Sequence, residues 1–92
     1  MPDQEIGIVT HYFDQPQVAV VQLTAGEIAI GDTLRFHGHT TDFSESVSSM
    51  EVDHQKVERA RAGQEIAIKV IGRARRHDKV FRLAATASSG SG

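Results

Sequence analysis

The chain has 92 residues, a formal net charge of −2 at pH 7 and no cysteine. This length leaves room for one domain with a modest hydrophobic core. Without cysteine there can be no disulfide, no thiolate metal site and no thiol nucleophile. The slightly negative charge argues against a protein that holds nucleic acid by a global positive field.

No run of the sequence approaches the roughly 18 apolar residues that a membrane helix needs. Apolar residues make up 39% of the chain and charged residues 24%, as in ordinary globular proteins. The acidic N-terminus lacks the basic start and the apolar stretch of a secretory signal. We therefore expect a soluble cytoplasmic protein without membrane contact.

Apolar residues alternate with a period of two, which predicts strands with one buried face and almost no helix. The second strand carries apolar residues on both faces, so we expect it to be central. In the fourth, the apolar residues move from odd to even positions, which predicts a bend near Ser48 and Ser49. The six predicted strands cover residues 5–12, 17–23, 33–37, 41–53, 65–71 and 78–83.

Two segments between the strands receive their own predictions. Residues 24–32 are predicted to form a loop with Ile28 and Ile30 turned inward, and residues 57–63 to form one short helical turn. At the C-terminus, residues 84–92 are only alanine, threonine, serine and glycine, a composition typical of flexible coil. We thus expect a short arm over 1–4, a folded domain over 5–83 and a disordered tail over 84–92.

The six strands are short and evenly spaced, as in a barrel or a sandwich. Ordered motifs run along these strands and the turns between them: Ile6-Gly7-Ile8-Val9, Val18 to Leu23, Gly26 to Leu34 with its Ile30-Gly31-Asp32 turn, Val47-Ser48-Ser49-Met50, Ala60-Arg61-Ala62-Gly63-Gln64-Glu65-Ile66 and Asp78-Lys79-Val80-Phe81. In these motifs the sequence resembles the second domain of elongation factor Tu and other translational GTPases over about residues 5–83. It is also similar to the small accessory barrel at the end of some collagenase-like peptidases.

The resemblance to translation factors implies a six-stranded antiparallel barrel of the domain 2 type, here without its GTPase. The phosphate-binding loop Gly-x-x-x-x-Gly-Lys-Ser/Thr does not occur in the sequence, so we expect no nucleoside triphosphate to bind. In the larger factors this barrel contacts the GTPase domain and, in some members, the acceptor end of tRNA. The matched residues are turn and core positions, so no binding residue is carried over.

Candidate catalytic and metal-binding groups are sparse. His37 and His39 form a His-x-His pair, but two histidines are fewer than the three or four ligands that zinc takes, so we expect no metal site. A pairing of His11 with Ser44 or Ser46 lacks a nucleophile elbow and an orienting carboxylate. We therefore expect neither an enzyme nor a bound cofactor.

The carboxylates Glu45, Glu51 and Asp53 share odd positions of the fourth predicted strand. They are expected to form a solvated acidic face rather than an acid and base pair.

One cluster stands out from the weakly acidic background. Each of its arginines can donate two hydrogen bonds to one phosphate, so the cluster is the candidate surface for nucleic acid or another anion. The alternative is a loop kept polar only for solubility. The cluster consists of Lys69, Arg73, Arg75, Arg76, His77 and Lys79, within eleven residues around the loop between the last two strands.

The function predicted from these features is a non-catalytic binding module of the translation-factor type that contacts RNA or a translation-related protein through this basic loop. The alternative is a protein-interaction or self-associating barrel with no nucleic-acid role. An accessory role beside a separate enzyme is the third possibility. The sequence leaves the ligand and the oligomeric state open.

Overall fold

The computed structural model describes residues 4–83, and over these residues the backbone is built from strands, with no helix. The alternating burial of the side chains explains why these residues form strands, because the β-branched and apolar side chains on one face of each strand pack into a common core. Ten strands follow one another along the chain: β1 (Gln4–Phe13), β2 (Val18–Leu23), β3 (Glu27–Ala29), β4 (Thr33–His37), β5 (Asp42–Ser46), β6 (Met50–Val52), β7 (Gln55–Lys56), β8 (Arg59–Arg61), β9 (Glu65–Lys69) and β10 (Lys79–Arg82).

Eight strands form one antiparallel sheet in the order β5-β4-β10-β1-β2-β9-β6-β7, and β3 pairs with β8 in a second, small sheet. The large sheet curls into a half-barrel. The prediction of an all-β fold is confirmed, whereas the six-stranded barrel of the translation-factor type is not. As predicted, β2 is central, between β1 and β9.

The predicted fourth strand, residues 41–53, is divided in two. Its first part, β5, pairs with β4, and its second part, β6, pairs with β9. The change of partner falls between Ser46 and Met50, where the switch in apolar parity predicts a bend.

The helical turn predicted over 57–63 is wrong. Residues 59–61 form β8, which pairs with β3 from within the predicted loop 24–32. Only Ala60 of the three residues is buried, with exposed arginines on both sides, so the local pattern has the period of a strand. The cross-strand partner of Ala60 is Ile28, which is also buried, as predicted. Ile30 is exposed, contrary to the prediction.

One core fills the concave side of the sheet. In β1 both Ile6 and Val9 are fully buried, although strict alternation would place them on opposite faces. An irregularity in the pairing of β1 with β10, at Glu5/Gly7, changes the parity between these two residues. The largest fully buried side chains are Phe36, Ile6, Leu23, Ile28, Leu34, Met50, Ile66, Ile68, Val9, Val21 and Val80.

The arm predicted over residues 1–4 overlaps the first strand. Gln4, the last residue of the predicted arm, is the first residue of β1, and the predicted tail over 84–92 lies outside the described residues. No helix long and apolar enough to span a membrane is found in the part of the chain that the structure describes.

Candidate functional site: the basic rim

The loop between β9 and β10, residues 70–78, is called the rim loop and carries most of the predicted basic cluster. Hydrogen bonds hold its first residues against the sheet. The Glu45 carboxylate accepts hydrogen bonds from the backbone N–H groups of Ile71, at 2.7 and 2.9 Å, and of Gly72, at 2.5 Å. Gly72 also lies against the Phe43 ring, where an added Cβ would come within 2.7 Å of ring carbons. These contacts fix where the loop leaves the sheet.

The end of the loop is held by a buried carboxylate. Asp78 is only 4% exposed, and its Oδ2 accepts a 2.7 Å hydrogen bond from the backbone N–H of Arg75. The backbone N–H of Asp78 donates to the carbonyl of Arg75 at 3.1 Å, which closes the turn. Gly38 lies directly against the other carboxylate oxygen of Asp78, so that no side chain fits there.

The loop also pairs with β1. The N–H of His77 donates to the carbonyl of Val9, and the N–H of Val9 donates to the carbonyl of Asp78, both at 2.8 Å. Between the two fastened ends, Ala74 is buried in the core. The backbone of the loop therefore belongs to the folded structure, although its basic side chains are exposed.

The structure separates the predicted basic residues into four places. Arg75, Arg76 and His77 line one shallow pocket of about 280 Å³ together with His39. Lys79 lies on β10 opposite His37 of β4.

Lys69 and Arg73 point elsewhere. Lys69 lines a groove beside β5, and Arg73 lies near Asp14, with 4.0 Å between its Nε and the carboxylate. Both residues of this pair are largely exposed, so it contributes little to stability. Of the six residues, only these three are shown lining one pocket, and contact of the cluster with nucleic acid or another anion stays a prediction.

His37 and His39 are both exposed, at the end of β4 and in the turn that follows it. Among residues 4–83 no group of three or more histidine, aspartate or glutamate side chains is arranged to hold a metal ion. His11 has the Phe13 ring as its neighbour, at 6.3 Å between ring centroids. Whether the chain binds zinc in solution stays a prediction.

The three carboxylates expected to form one acidic face are in different surroundings. Glu45 is half-buried and holds the rim loop, Glu51 is on β6, and Asp53 is in a turn with a φ of +53°. The interpretation as one solvated face is therefore wrong for Glu45. The signal was present in the sequence, since Glu45 has the same odd parity as the apolar residues Phe43 and Val47.

A different carboxylate makes a surface ion pair. Asp42 on β5 accepts two hydrogen bonds from the Arg35 guanidinium on β4, at 3.0 and 3.2 Å. These hydrogen bonds lower the pKa of the Asp42 carboxyl below its ordinary value of 3.8; desolvation opposes them, and the charges of Arg35 and His37 add to the lowering.

The sequence prediction missed the groove beside β5. Its walls are formed by β5 and by the end of β9, it encloses about 520 Å³, and the side chain of Ile71 stands at its mouth with 85% of its surface exposed. An isoleucine at the end of a predicted core strand gives no local sign of exposure. Only the pairing of the strands reveals that the sheet opens there.

This architecture is that of a small all-β half-barrel domain, and the same fold occurs in the C-terminal domain of a putative peptidase. Two crystal structures of the C-terminal domain of a putative U32 peptidase from Geobacillus thermoleovorans superpose on this chain with TM-scores of 0.78 and 0.80. The superpositions cover 85% and 88% of this chain and 98% and 93% of those chains, at 20% and 19% sequence identity. At this identity the likeness establishes the fold alone.

Two proteins with peptidase names are similar to this chain in sequence. The chain is 35% identical over 83 residues to an uncharacterized protease of Methanocaldococcus jannaschii, and 35% identical over 79 residues to a collagenase of Porphyromonas gingivalis. These alignments cover 89% and 85% of this chain but only 20% and 22% of the relatives. The chain thus spans about a fifth of the length of the curated proteins it matches. No protein-family model matches it.

These findings correct the sequence interpretation. The assignment to the second domain of translational GTPases is wrong, because both the sequence relatives and the structural neighbours carry peptidase names. The function predicted with it, a translation-factor-like module for RNA, is contradicted for the same reason. Of the two resemblances noted in the sequence, the one to the barrel of collagenase-like peptidases agrees with the comparisons. Contact of the rim with RNA or with a translation-related protein is not tested by the structure.

Proposed function

We propose that this chain is a non-catalytic accessory domain that works beside a U32-type peptidase domain. The observation that carries the proposal is the partial match to the relatives: a protease and a collagenase share 35% identity with nearly all of this chain over only about a fifth of their own length. A segment of this kind corresponds to one appended unit of a larger enzyme. The likeness to a C-terminal domain crystallised by itself supports a unit that folds independently.

The side-chain chemistry of the described residues also favours a role in binding. Nucleophilic catalysis needs a base within hydrogen-bond reach of the nucleophile and a third group that orients the base. Within residues 4–83, no histidine makes a hydrogen bond to a hydroxyl or a carboxylate. The carboxylates best held in place, Glu45 and Asp78, are occupied by backbone N–H groups of the rim loop. The domain contributes contact with the peptidase domain or with its protein substrate.

A segment exchange in the Porphyromonas gingivalis collagenase tests this function. Three proteins are compared for gelatin hydrolysis: the parent enzyme, a version without the matching segment, and a chimera that carries the present chain in its place. We expect the deletion to lose most of the activity, the chimera to recover a substantial part of it, and the present chain alone to hydrolyse nothing.

Two results contradict the proposal. Full activity of the deletion variant would exclude the accessory role. Hydrolysis by the isolated chain would exclude a non-catalytic domain. A chimera that carries Phe36→Ala, which disrupts the core, is the matched control, because it retains the segment but weakens its fold. Recovery by the intact chain but not by this variant ties the activity to the folded domain.

A further inference from the structure

One shallow pocket lies between the turn that follows β4 and the second half of the rim loop. It encloses about 280 Å³, just below the roughly 300 Å³ at which pockets for drug-sized molecules begin. This volume suits one small chemical group rather than a large ligand. The lining residues are Gly38, His39, Thr40, Arg75, Arg76, His77 and Asp78.

The basic charge of this lining has no acidic partner within the described residues. The exposed guanidinium groups of Arg75 and Arg76 make no ion pair and no hydrogen bond in this part of the chain. Asp78 is the one carboxylate of the lining, and it is buried and accepts a hydrogen bond from the backbone N–H of Arg75. Asp42 on the same hairpin as the turn is bonded to Arg35. The pocket therefore presents two guanidinium charges that the described residues do not neutralise.

Three backbone donors of the lining are also unused. The N–H groups of His39, Thr40 and Arg76 make no hydrogen bond within residues 4–83. An exposed N–H group of this kind bonds to water until a ligand replaces the water. The lining residues thus offer backbone donors in addition to their side chains.

Hydrogen bonds fix both walls of the pocket before a ligand arrives. In the turn after β4, the N–H of Gly38 donates to the carbonyl of Thr41 at 2.8 Å. In the rim loop, the N–H of Asp78 donates to the carbonyl of Arg75, and the carboxylate of Asp78 lies against Gly38. Asp78 therefore joins the two walls. A site whose backbone is already held loses little conformational freedom on binding.

His77 occupies a position in its turn that favours glycine. The turn runs from Arg75 to Asp78, and His77, its third residue, has a φ of +75°. Type II turns have a φ of roughly +80° at this position, and glycine is usual there because other side chains are strained. Such strained residues concentrate at binding sites. Here the strained position places an imidazole in the lining of the pocket.

We propose that this pocket binds the phosphate dianion, as inorganic phosphate or as the phosphate group of a small monoester. Two guanidinium groups match its charge of about −2, and each can donate two parallel hydrogen bonds to phosphate oxygens. A carboxylate carries a single charge and leaves one arginine without a partner. The proposal narrows the basic cluster of the sequence to Arg75, Arg76 and His77 and adds His39. It holds whether or not the domain serves a peptidase.

Amide NMR titrations of the full chain with three small anions test the proposal. Inorganic phosphate, phenyl phosphate and acetate are compared at about pH 7.5, with sodium chloride holding the ionic strength at about 0.15 M so that screening is equal. Inorganic phosphate should cause saturable shifts at residues 38–40 and 75–78, with a Kd of about 1 to 5 mM. Acetate should bind at least about tenfold more weakly, because it engages only one guanidinium.

The two phosphates distinguish the source of the ligand. Both should shift the same amides, because both present a phosphate dianion. Binding of phenyl phosphate at least about threefold tighter than inorganic phosphate would identify a phosphorylated molecule as the ligand. Equal or weaker binding of phenyl phosphate would identify free phosphate.

Two double variants with the same change in charge separate the pocket from the general field of the protein. Replacing Arg75 and Arg76 by alanine should weaken phosphate binding at least about tenfold. Replacing Arg59 and Arg61, the exposed arginines of β8, should change the Kd less than about twofold. His77→Gly removes the imidazole at a φ that glycine tolerates, so it should weaken binding about two- to fivefold without lowering the Tm.

Three results would overturn the proposal. Acetate binding as tight as phosphate binding would exclude a site for the dianion, and this comparison uses only the parent protein, so it counts even if a variant fails to fold. An equal loss in the two double variants would mean that phosphate responds only to net charge. Shifts centred on another surface, or no saturation up to about 50 mM phosphate, would exclude the pocket.

Discussion

The rim loop and the β5 edge lie next to each other and satisfy their backbone groups in opposite ways. In the loop, the N–H groups of Ile71 and Gly72 donate to the carboxylate of Glu45. In β5, the outward groups of Ser44 and Ser46 have no strand beside them. The charge of a segment therefore does not show whether its backbone groups are unpaired. The basic loop has its backbone N–H groups bonded, whereas the uncharged serines face the open groove.

The largest effect is expected from the core that supports both regions. Phe36 is fully buried and stacks on Phe43, with 4.9 Å between the ring centroids. Phe36→Ala should lower the free energy of unfolding by about 3 to 5 kcal/mol, because it removes buried apolar surface and leaves a cavity. Denaturant unfolding measures this change, and a loss below about 1 kcal/mol would show that the ring is not part of the core.

The fastening of the loop should give the next largest effect. Glu45→Ala leaves the N–H groups of Ile71 and Gly72 without their acceptor and should cost about 1 to 3 kcal/mol. Glu58→Ala removes an exposed carboxylate and is the matched control, with an expected change within about 0.5 kcal/mol. Equal melting temperatures for the two variants would mean that Glu45 does not hold the loop.

The exposed side chains of the rim should contribute almost nothing to stability. The triple change of Arg73, Arg75 and Arg76 to alanine should leave the free energy of unfolding within about 0.5 kcal/mol of the parent, as exposed substitutions usually do. The backbone contacts of the loop do not involve these side chains. A triple variant that unfolds would show that the guanidinium groups are structural.

The smallest effect is a pH dependence at the far end of the β5 edge. Hydrogen bonds from Arg35 lower the folded-state pKa of Asp42 below 3.8, so the ion pair stabilises the fold above that pH and the contribution disappears as the pH falls through the lowered pKa. Asp42→Asn should therefore melt slightly below the parent at pH 7 and level with it at low pH. A difference that grows as the pH falls would have the wrong sign.

The sequence predicted the parts of the fold that depend on a regular local pattern. Alternating apolar residues predicted the central strand β2, and a change in parity predicted the division between β5 and β6. The pattern failed where a strand is irregular or very short. Ile6 and Val9 are buried together because the pairing of β1 is irregular at Glu5/Gly7, and the helical turn predicted around Ala60 is wrong because the strand there has only three residues.

The candidate surfaces were less predictable, because they depend on which strands become neighbours. The basic cluster is visible as a run of residues, but its separation into four places follows from the pairing of β4 with β10 and from the position of the groove. The role of Glu45 was predictable in part, since its parity placed a charge on the inward face of a strand. Its acceptor role needs residues 71 and 72, and no local pattern connects them.

Amide hydrogen exchange tests the contrast between the two regions most directly. The amides of Ile71 and Gly72 should exchange slowly in the parent and rapidly in Glu45→Ala, because the carboxylate is their acceptor. The amides of Ser44 and Ser46 should exchange rapidly in both proteins, while that of Val47, which donates to Asp32, stays protected. Slow exchange at the two serines, or fast exchange of Ile71 and Gly72 in the parent, would contradict the account of a fastened loop beside an open edge.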